Sequence, residues 1–390
     1  MNLQNCHNQH DLRMAAKKRL PSPIFNYMDG GADDEWTLQR NSSAFDGFEL
    51  LPRYLKNVEN IDLKTRVLGQ ELDLPVFLAP TGMSRLFHHD REIAVAKAAE
   101  KYGTLYSLST LGTASIEEVA QTISSPKMFQ IYILKDRELT REFMQRCKDN
   151  SFEVMCLTVD TPLAGNRERD LVTGFTMPPR FGLKSLWSFA THPYWTMQLA
   201  LHPDFELKNV THRVGAVDKK GAVSLIAYVN EQLDRTVTWE DAAWLAKQWD
   251  GPFVIKGLQT PEDARRAVDA GASAIMISNH GGRQLGAAPA PVDCIAPIRN
   301  AVGNSLELIV DGGIRRGTHI IKALALGANA CSIGRAYLYG LAAGGQNGVE
   351  RTLELFRGEL QRNMALMGCT RISDLSSRHV RRVAGTPGNL

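Results

Sequence analysis

The chain has 390 residues, 44% hydrophobic and 22% charged, with a formal net charge of +3. That length buries a large core and suits one catalytic domain with extensions. Basic residues are interspersed with nearly as many acidic ones, which excludes a nucleic-acid-binding face, and no apolar run is long enough to span a bilayer.

The first segment, Met1 to about Leu74, reads as an N-terminal extension with a short helix around Pro23–Met28 and irregular chain after it. Its start, Met1–Asp11, is polar and lacks the apolar stretch of a signal peptide. The six cysteines show no C-x-x-C pair or metal-ligand spacing, so reduced thiols and a cytoplasmic location are expected.

From Pro75 onward short apolar runs alternate with stretches of helical periodicity, the pattern of repeated βα units. Strands are predicted at Pro75–Ala79, Thr104–Leu108, Met128–Ile133, Val154–Val159, Phe253–Lys256, Ala274–Ser278, Leu306–Val310 and Ala330–Ile333. Helices between them include Arg91–Tyr102, Ile116–Ile123, Arg137–Asp149, Trp239–Trp249, Pro261–Ala270 and Gly317–Leu326. Ser115 with Glu118 forms a capping-box signal, and Thr260-Pro261 pairs a capping hydroxyl with a proline at the first helical position.

Eight βα units predict an α/β fold, a closed (β/α)8 TIM barrel over residues 75–367. A long loop insertion, about 162–238, follows the fourth strand, and residues 368–390 form a C-terminal tail. The middle of the insertion, Leu186–Leu201, holds Trp187, Phe189, Tyr194, Trp195 and Met197, an unusual composition for a solvated loop.

In such a barrel the chemistry sits where the strands end at their C-termini. There the chain places Pro80-Thr81-Gly82, Ser109, Gln130 with Tyr132, Thr158 with Asp160, and Lys256. Ser278-Asn279-His280-Gly281-Gly282-Arg283, Asp311-Gly312-Gly313-Ile314-Arg315 and Gly334-Arg335 complete the set. The last two clusters read as a phosphate site, since glycines free backbone N–H groups and arginines pair with phosphate oxygens.

His280 is a candidate base and Arg283 a candidate clamp for a carboxylate. Asp160 is placed to orient the imidazole and stabilise its protonated form. Lys256 has two readings, a Schiff-base nucleophile of a barrel lyase or a fixed cation beside a developing anion.

These residues carry a resemblance to the FMN-dependent L-2-hydroxy acid oxidases and dehydrogenases, the family of glycolate oxidase, L-lactate dehydrogenase and (S)-mandelate dehydrogenase. It extends from about Pro21 to Leu375 and is most specific at Ser278–Leu285, Asp311–Arg315, Thr158–Pro162 and Gln130-Ile131-Tyr132. The resemblance implies FMN across the barrel mouth, contacted by Pro80, Thr81, Gly82, Ser109, Gln130, Thr158, Lys256 and Ser278. The phosphate would rest on Asp311, Gly313, Arg315, Gly334 and Arg335. Lys256 then becomes the cation near the flavin N1 and C2 carbonyl. Arg283 and Tyr27 would hold the substrate carboxylate, Tyr132 and Arg167 would approach it, and His280 would take the proton.

The chain departs from glycolate oxidase at Leu111, where that enzyme has tryptophan, at Gly82, where it has alanine, and at Gly286, where aspartate is frequent. Gly82 and the run Lys322–Gly344 are more similar to mandelate dehydrogenase. A lactate-like or mandelate-like substrate is therefore expected. In membrane-associated members the segment equivalent to the insertion attaches the enzyme to the bilayer, and Arg180 and Lys184 beside the aromatic residues fit an interfacial anchor. A dehydrogenase reducing quinone or another acceptor follows, peripheral on the inner face of the cell membrane. The alternative is a soluble oxidase producing hydrogen peroxide, with the insertion as a lid or a contact of a homotetramer.

Overall fold

The computed structural model describes residues 2–176, 178–202, 205–213 and 231–383. Eight parallel strands close into a barrel. They are β1 Val76–Thr81, β2 Tyr106–Ser109, β3 Lys127–Ile131, β4 Val154–Thr158, β5 Phe253–Leu258, β6 Ala274–Ser278, β7 Glu307–Asp311 and β8 Ala330–Ile333. Each pairs with its neighbours in sequence, and β8 closes on β1 through Cys331 opposite Val76.

The strands are buried on both faces, and most are apolar along their length, because side chains on one face fill the barrel while those on the other meet helices. Phe77, Met128, Cys156, Val254, Met276 and Ile309 form the inner cluster. A hairpin, Thr65–Val67 with Gln70–Leu72, adds Val67, Leu68 and Leu72 to it, and Leu68 N donates to Glu307 Oε2 at 2.6 Å. That hairpin stoppers the N-terminal end of the barrel, leaving the opposite mouth for ligands.

Several boundaries differ from expectation at that mouth. β1 runs on to Thr81 and β5 to Leu258, each with a register shift against its neighbour, near Leu78/Thr81 and Lys256/Leu258. β3 stops at Ile131, so Tyr132 belongs to the loop beyond it, and β7 includes Asp311. At Asp311 and Thr81 the side chains bond to partners distant in sequence, Ser278 and Ser332 for the first and Tyr337 for the second, and local apolar runs carry no record of them.

The N-terminal extension is more ordered than its sequence predicts. It folds into α1 Gln9–Arg19, α2 Ser22–Asp29 and α3 Trp36–Ser43. Asn8 caps α1 by accepting from Asp11 N, and Pro23 stands in the first turn of α2. The short strand Phe48–Leu50 pairs with Val380–Arg382 of the C-terminal tail.

The barrel helices are α4 Arg91–Lys101, α5 Ile116–Thr122 and α6 Arg137–Asp149. The insertion, expected as loop, contributes α7 Glu168–Thr173, α8 Leu183–Ala190 and α9 Pro193–Leu201, and its residues 214–230 lie outside those described. The remaining helices are α10 Trp239–Trp249, α11 Pro261–Asp269, α12 Pro291–Val302, α13 Gly317–Ala325 and α14 Arg335–Met367. The backbone of α14 breaks at Gly344-Gly345.

Candidate active site

A cavity of about 290 Å³ opens at the C-terminal mouth, close to the lower end of the range for cofactor pockets. All the site residues singled out in the sequence line it except Asp160 and Ser278, which stand one layer behind. Asp160 backs His280, and Ser278 backs Lys256.

His280 follows β6 with a positive φ of 56°, a conformation that Gly281 and Gly282 continue. Three consecutive left-handed residues fold the chain back on itself. The turn is fastened by His280 N donating to Ser278 Oγ at 3.0 Å and Gly282 N to Asn279 Oδ1 at 3.0 Å. Its imidazole keeps 29% of its surface, toward the cavity, and its Nδ1 lies 2.9 Å from Asp160 Oδ1.

Burial lowers the His280 pKa from the usual value, against the pull of Asp160. The ring is thus a free base at neutral pH. With Nδ1–H donated to Asp160, the Nε2 lone pair is left for the cavity. Burial alone would push the Asp160 carboxyl up, but His280 and Lys256 outweigh it and hold it below the ordinary range.

Lys256 is 4% exposed. Its Nζ donates to Ser278 Oγ at 3.1 Å and lies 3.3 Å from Asp311 Oδ2. Burial would lower its pKa, yet Asp160 and Asp311 raise it, so the amine stays cationic. A Schiff-base nucleophile needs the opposite shift, and the lyase reading loses its support.

Asp311 differs from expectation. Its carboxylate faces the barrel axis, accepting from Ser278 Oγ at 2.8 Å and Ser332 Oγ at 2.7 Å beside Lys256. A carboxylate would repel a phosphate, so only the backbone beyond it suits that role. Arg335 differs too: it donates to Met28 O at 3.0 Å, Gly281 O at 2.7 Å and Gly30 O at 2.6 Å. Most of its donors are spent on carbonyls. Gly313, Gly334 and Arg315 remain around the phosphate end of the cavity, with Arg315 Nη1 on Ile314 O at 2.9 Å.

Three polar atoms on the cavity wall are buried without a partner, Gln130 Nε2, Thr158 Oγ1 and Thr161 Oγ1. Gln130 Oε1 is already used by Ser109 Oγ at 2.9 Å. An unmade buried hydrogen bond costs about 1–3 kcal/mol, so such atoms mark a missing ligand. A planar ring edged with carbonyls and N–H groups fits them, and a fixed cation at Lys256 fits an acceptor of negative charge. These residues fit FMN.

In the cavity that His280 lines, Tyr27 lies beneath two guanidiniums, with Arg283 Cζ 4.9 Å and Arg167 Cζ 5.5 Å from its ring centre. Arg283 Nη1 donates to Tyr27 O at 2.6 Å. Burial and then Arg167 pull the Arg283 pKa down to about 10, so Arg283 stays charged at neutral pH, and the closeness of the two guanidiniums favours an anion between them. Burial and then Asp160 push the Tyr132 hydroxyl up to about 12, which keeps it a hydrogen-bond donor.

Sequence reasoning missed the supports of this site. Asn41 of α3 and Asn279 exchange side-chain hydrogen bonds of 2.8 and 2.6 Å, and this buried pair anchors the His280 turn to the extension. Asn279 stands inside the noticed motif, but nothing local marks Asn41. Phe175 and Leu233, brought in by the insertion, wall the cavity with Phe87, Met83 and Leu111.

Barrel, basic pocket and unpartnered polar wall together define an enzyme that holds a phosphorylated planar cofactor beside a small anion. Comparison with known proteins agrees. A family model described as FMN-dependent dehydrogenase matches residues 16–382. The chain is 38% identical to glycolate oxidase 3 of Oryza sativa subsp. indica over 373 residues, 96% of this chain and 95% of that protein. It is 39% identical to glycolate oxidase 1 of Zea mays over the same length and shares of both chains.

Among solved structures it matches the monotopic membrane protein (S)-mandelate dehydrogenase with a TM-score of 0.91 and 33% identity, covering 96% of this chain and 99% of that one. The flavin-binding domain of baker's yeast flavocytochrome b2 matches with a TM-score of 0.82 and 28% identity, covering 100% and 91%. The chain belongs to the FMN-dependent dehydrogenases, oxidoreductases that act on the CH–OH group of 2-hydroxy acids. Its cofactor is FMN.

Proposed function

We propose that the protein oxidises an L-2-hydroxy acid of the lactate or mandelate type to the 2-keto acid, as a dehydrogenase that passes electrons to a quinone or similar acceptor. The observation that carries the reading is one cavity with a neutral, Asp160-backed His280 on one side and the Arg283–Tyr27–Arg167 group on the other. Arg283, Arg167 and the hydroxyls of Tyr27 and Tyr132 hold the carboxylate and the 2-hydroxyl. That grip fixes C2 beside His280, which takes the proton released on oxidation, and Asp160 stabilises the imidazolium that forms.

Bound FMN supplies the two-electron acceptor. Toward it, Pro80, Thr81, Gly82, Ser109, Gln130, Thr158 and Lys256 line the ring end, with Ser278 behind Lys256. Gly313, Arg315, Gly334 and the backbones of Asp311 and Arg335 line the phosphate end. Met83, Phe87, Leu111, Phe175 and Leu233 make the substrate side of the cavity apolar, which supports a substrate larger than glycolate.

Dehydrogenase rather than oxidase is favoured by the insertion. On α8 and α9, Leu183, Leu186, Trp187, Met197 and Leu201 are at least half exposed, and the basic residues Arg180 and Lys184 flank them. Among the described residues no helix is long and apolar enough to cross a membrane. A surface-bound enzyme on the inner face of the membrane fits both facts. The similar mandelate dehydrogenase is itself a monotopic membrane protein.

The deciding experiment is anaerobic titration of the yellow protein with L-lactate, L-mandelate and glycolate, followed by quinone or air. Bleaching by L-lactate or L-mandelate, and reoxidation faster by quinone than by air, is the expected result. Bleaching by none of them removes the substrate class. Rapid peroxide formation by wholly soluble native protein selects the oxidase.

A further inference from the structure

Asp29, the last residue of α2, is 4% exposed and takes no part in the chemistry above. It accepts both Arg13 Nε at 2.6 Å and Arg13 Nη2 at 2.7 Å, Arg169 Nη1 at 3.0 Å and Tyr339 OH at 2.8 Å. Its partners come from α1, α7 and α14. Arg169 is shared with Glu35, whose Oε1 also accepts Gly31 N at 2.9 Å.

Two residues apart on a helix turn is about 200°, so neighbours at that spacing face opposite ways. Tyr27 and Asp29 are such a pair at the end of α2; across from them, Arg167, the residue that leads into α7, and Arg169 in its first turn are likewise parted to two sides. The inward members, Tyr27 and Arg167, meet over the cavity at 5.5 Å, while the outward members, Asp29 and Arg169, meet at 3.0 Å on the far side. We propose that Asp29 is a positioning residue: its tie to Arg169 holds α2 and α7 in register, so that Tyr27 and Arg167 present a preformed seat for the substrate carboxylate opposite Arg283.

A buried ion pair contributes little net stability compared with apolar packing but can specify register, which is the use made of it here. The surrounding chain needs such a device. Residues 27–30 are already drawn toward Arg283 and Arg335 through the Tyr27, Met28 and Gly30 carbonyls. Asp33 N and Asn166 O, 2.9 Å apart, add one further link between the extension and the segment before α7. Without Asp29 the arginines of the barrel would still hold α2, but Arg169 would lose the contact that sets α7 against it.

The inference rests on the carboxylate-clamp reading, and the test separates the two. Holoenzyme variants Asp29→Asn, Arg169→Met, Arg13→Met and Arg283→Lys are assayed with L-lactate and L-mandelate. Oxalate binding is followed by the change in the visible flavin spectrum, with FMN content and melting temperature measured alongside. Asp29→Asn is expected to raise KM and the oxalate Kd together by roughly tenfold, with kcat and FMN content near wild type. Arg169→Met should do the same to a smaller degree, and it carries the test should Asp29→Asn fold poorly.

Arg13→Met removes the bidentate pair but leaves the α2–α7 tie, so it should lower the melting temperature and leave KM unchanged. The proposal is overturned if Arg169→Met leaves KM and oxalate Kd at wild-type values while Arg283→Lys raises them. It is overturned equally if Arg13→Met raises KM as much as Arg169→Met. Unchanged KM in Arg283→Lys would instead remove the clamp reading and the proposal with it.

Discussion

Replacing Asp160 with asparagine tests the base assignment at its most exposed point. The carboxylate lies 2.9 Å from His280 Nδ1, and in the reaction proposed above it would face an imidazolium inside a buried site. With charge centres roughly 4 Å apart and an effective dielectric of about 20, the attraction is about 4 kcal/mol. Asparagine keeps a hydrogen bond through its amide oxygen and recovers a part of this, leaving a loss of about 3 kcal/mol. That corresponds to a fall in kcat on the order of 100-fold.

The pH dependence moves in a defined direction. His280 already sits below the usual histidine value because it is buried, so the acid limb of kcat/KM lies below pH 6.5 and the profile is flat at neutral pH. Loss of the Asp160 charge removes what favours the protonated ring, so the limb shifts further toward acid in the variant. Stopped-flow anaerobic reduction by L-mandelate across pH 5–9, with FMN content measured by absorbance, reads both effects. A variant reduced at about a third of the wild-type rate or faster, with an unmoved acid limb, would refute the electrostatic role.

Three further outcomes are expected. His280→Gln should lose turnover while retaining FMN, and near-normal turnover would remove it as the base. Leu111→Trp narrows the cavity beside Gly82, whose neighbour Leu111 Cβ already lies 2.9 Å from where a Gly82 Cβ would fall, so activity on L-mandelate should fall far more than on L-lactate. Acid stability should reflect Asp29: burial opposes it, but Arg13 and Tyr339 lower its pKa to about 2 from an ordinary 3.8. Its contribution is full above pH 4 and fades as pH falls toward 2, and Asp29→Asn should flatten that part of a melting-temperature profile, where about 2 kcal/mol is at stake.

How much of this was legible in the chain depends on the range of the interaction concerned. The repeat of apolar runs and amphipathic stretches predicts the strands, because a strand enclosed on both sides must be apolar along its whole length. Ser278–Arg283 pointed to the cavity, which His280 and Arg283 line, since its glycines and polar residues are contiguous. The extension was underread: α1 and α3 are weakly amphipathic and are held by contacts with α2, the barrel and α14, as Arg13 with Asp29 of α2 and Asn41 with Asn279 beyond β6 illustrate. The inward turn of Asp311 and the diversion of Arg335 to three carbonyls were equally hidden, because a side chain's direction follows from its partners.

The sequence by itself therefore determined the barrel, the location of the chemistry at its mouth and the residue types available there. Only the tertiary structure decided which of them face the cavity and which stand behind, as Ser278 does. It also showed how α2 and the segment before α7, far apart in the chain, meet at the cavity that His280 lines. Local patterns encode what a segment buries, whereas a site is defined by distances between segments, and those are set by packing alone.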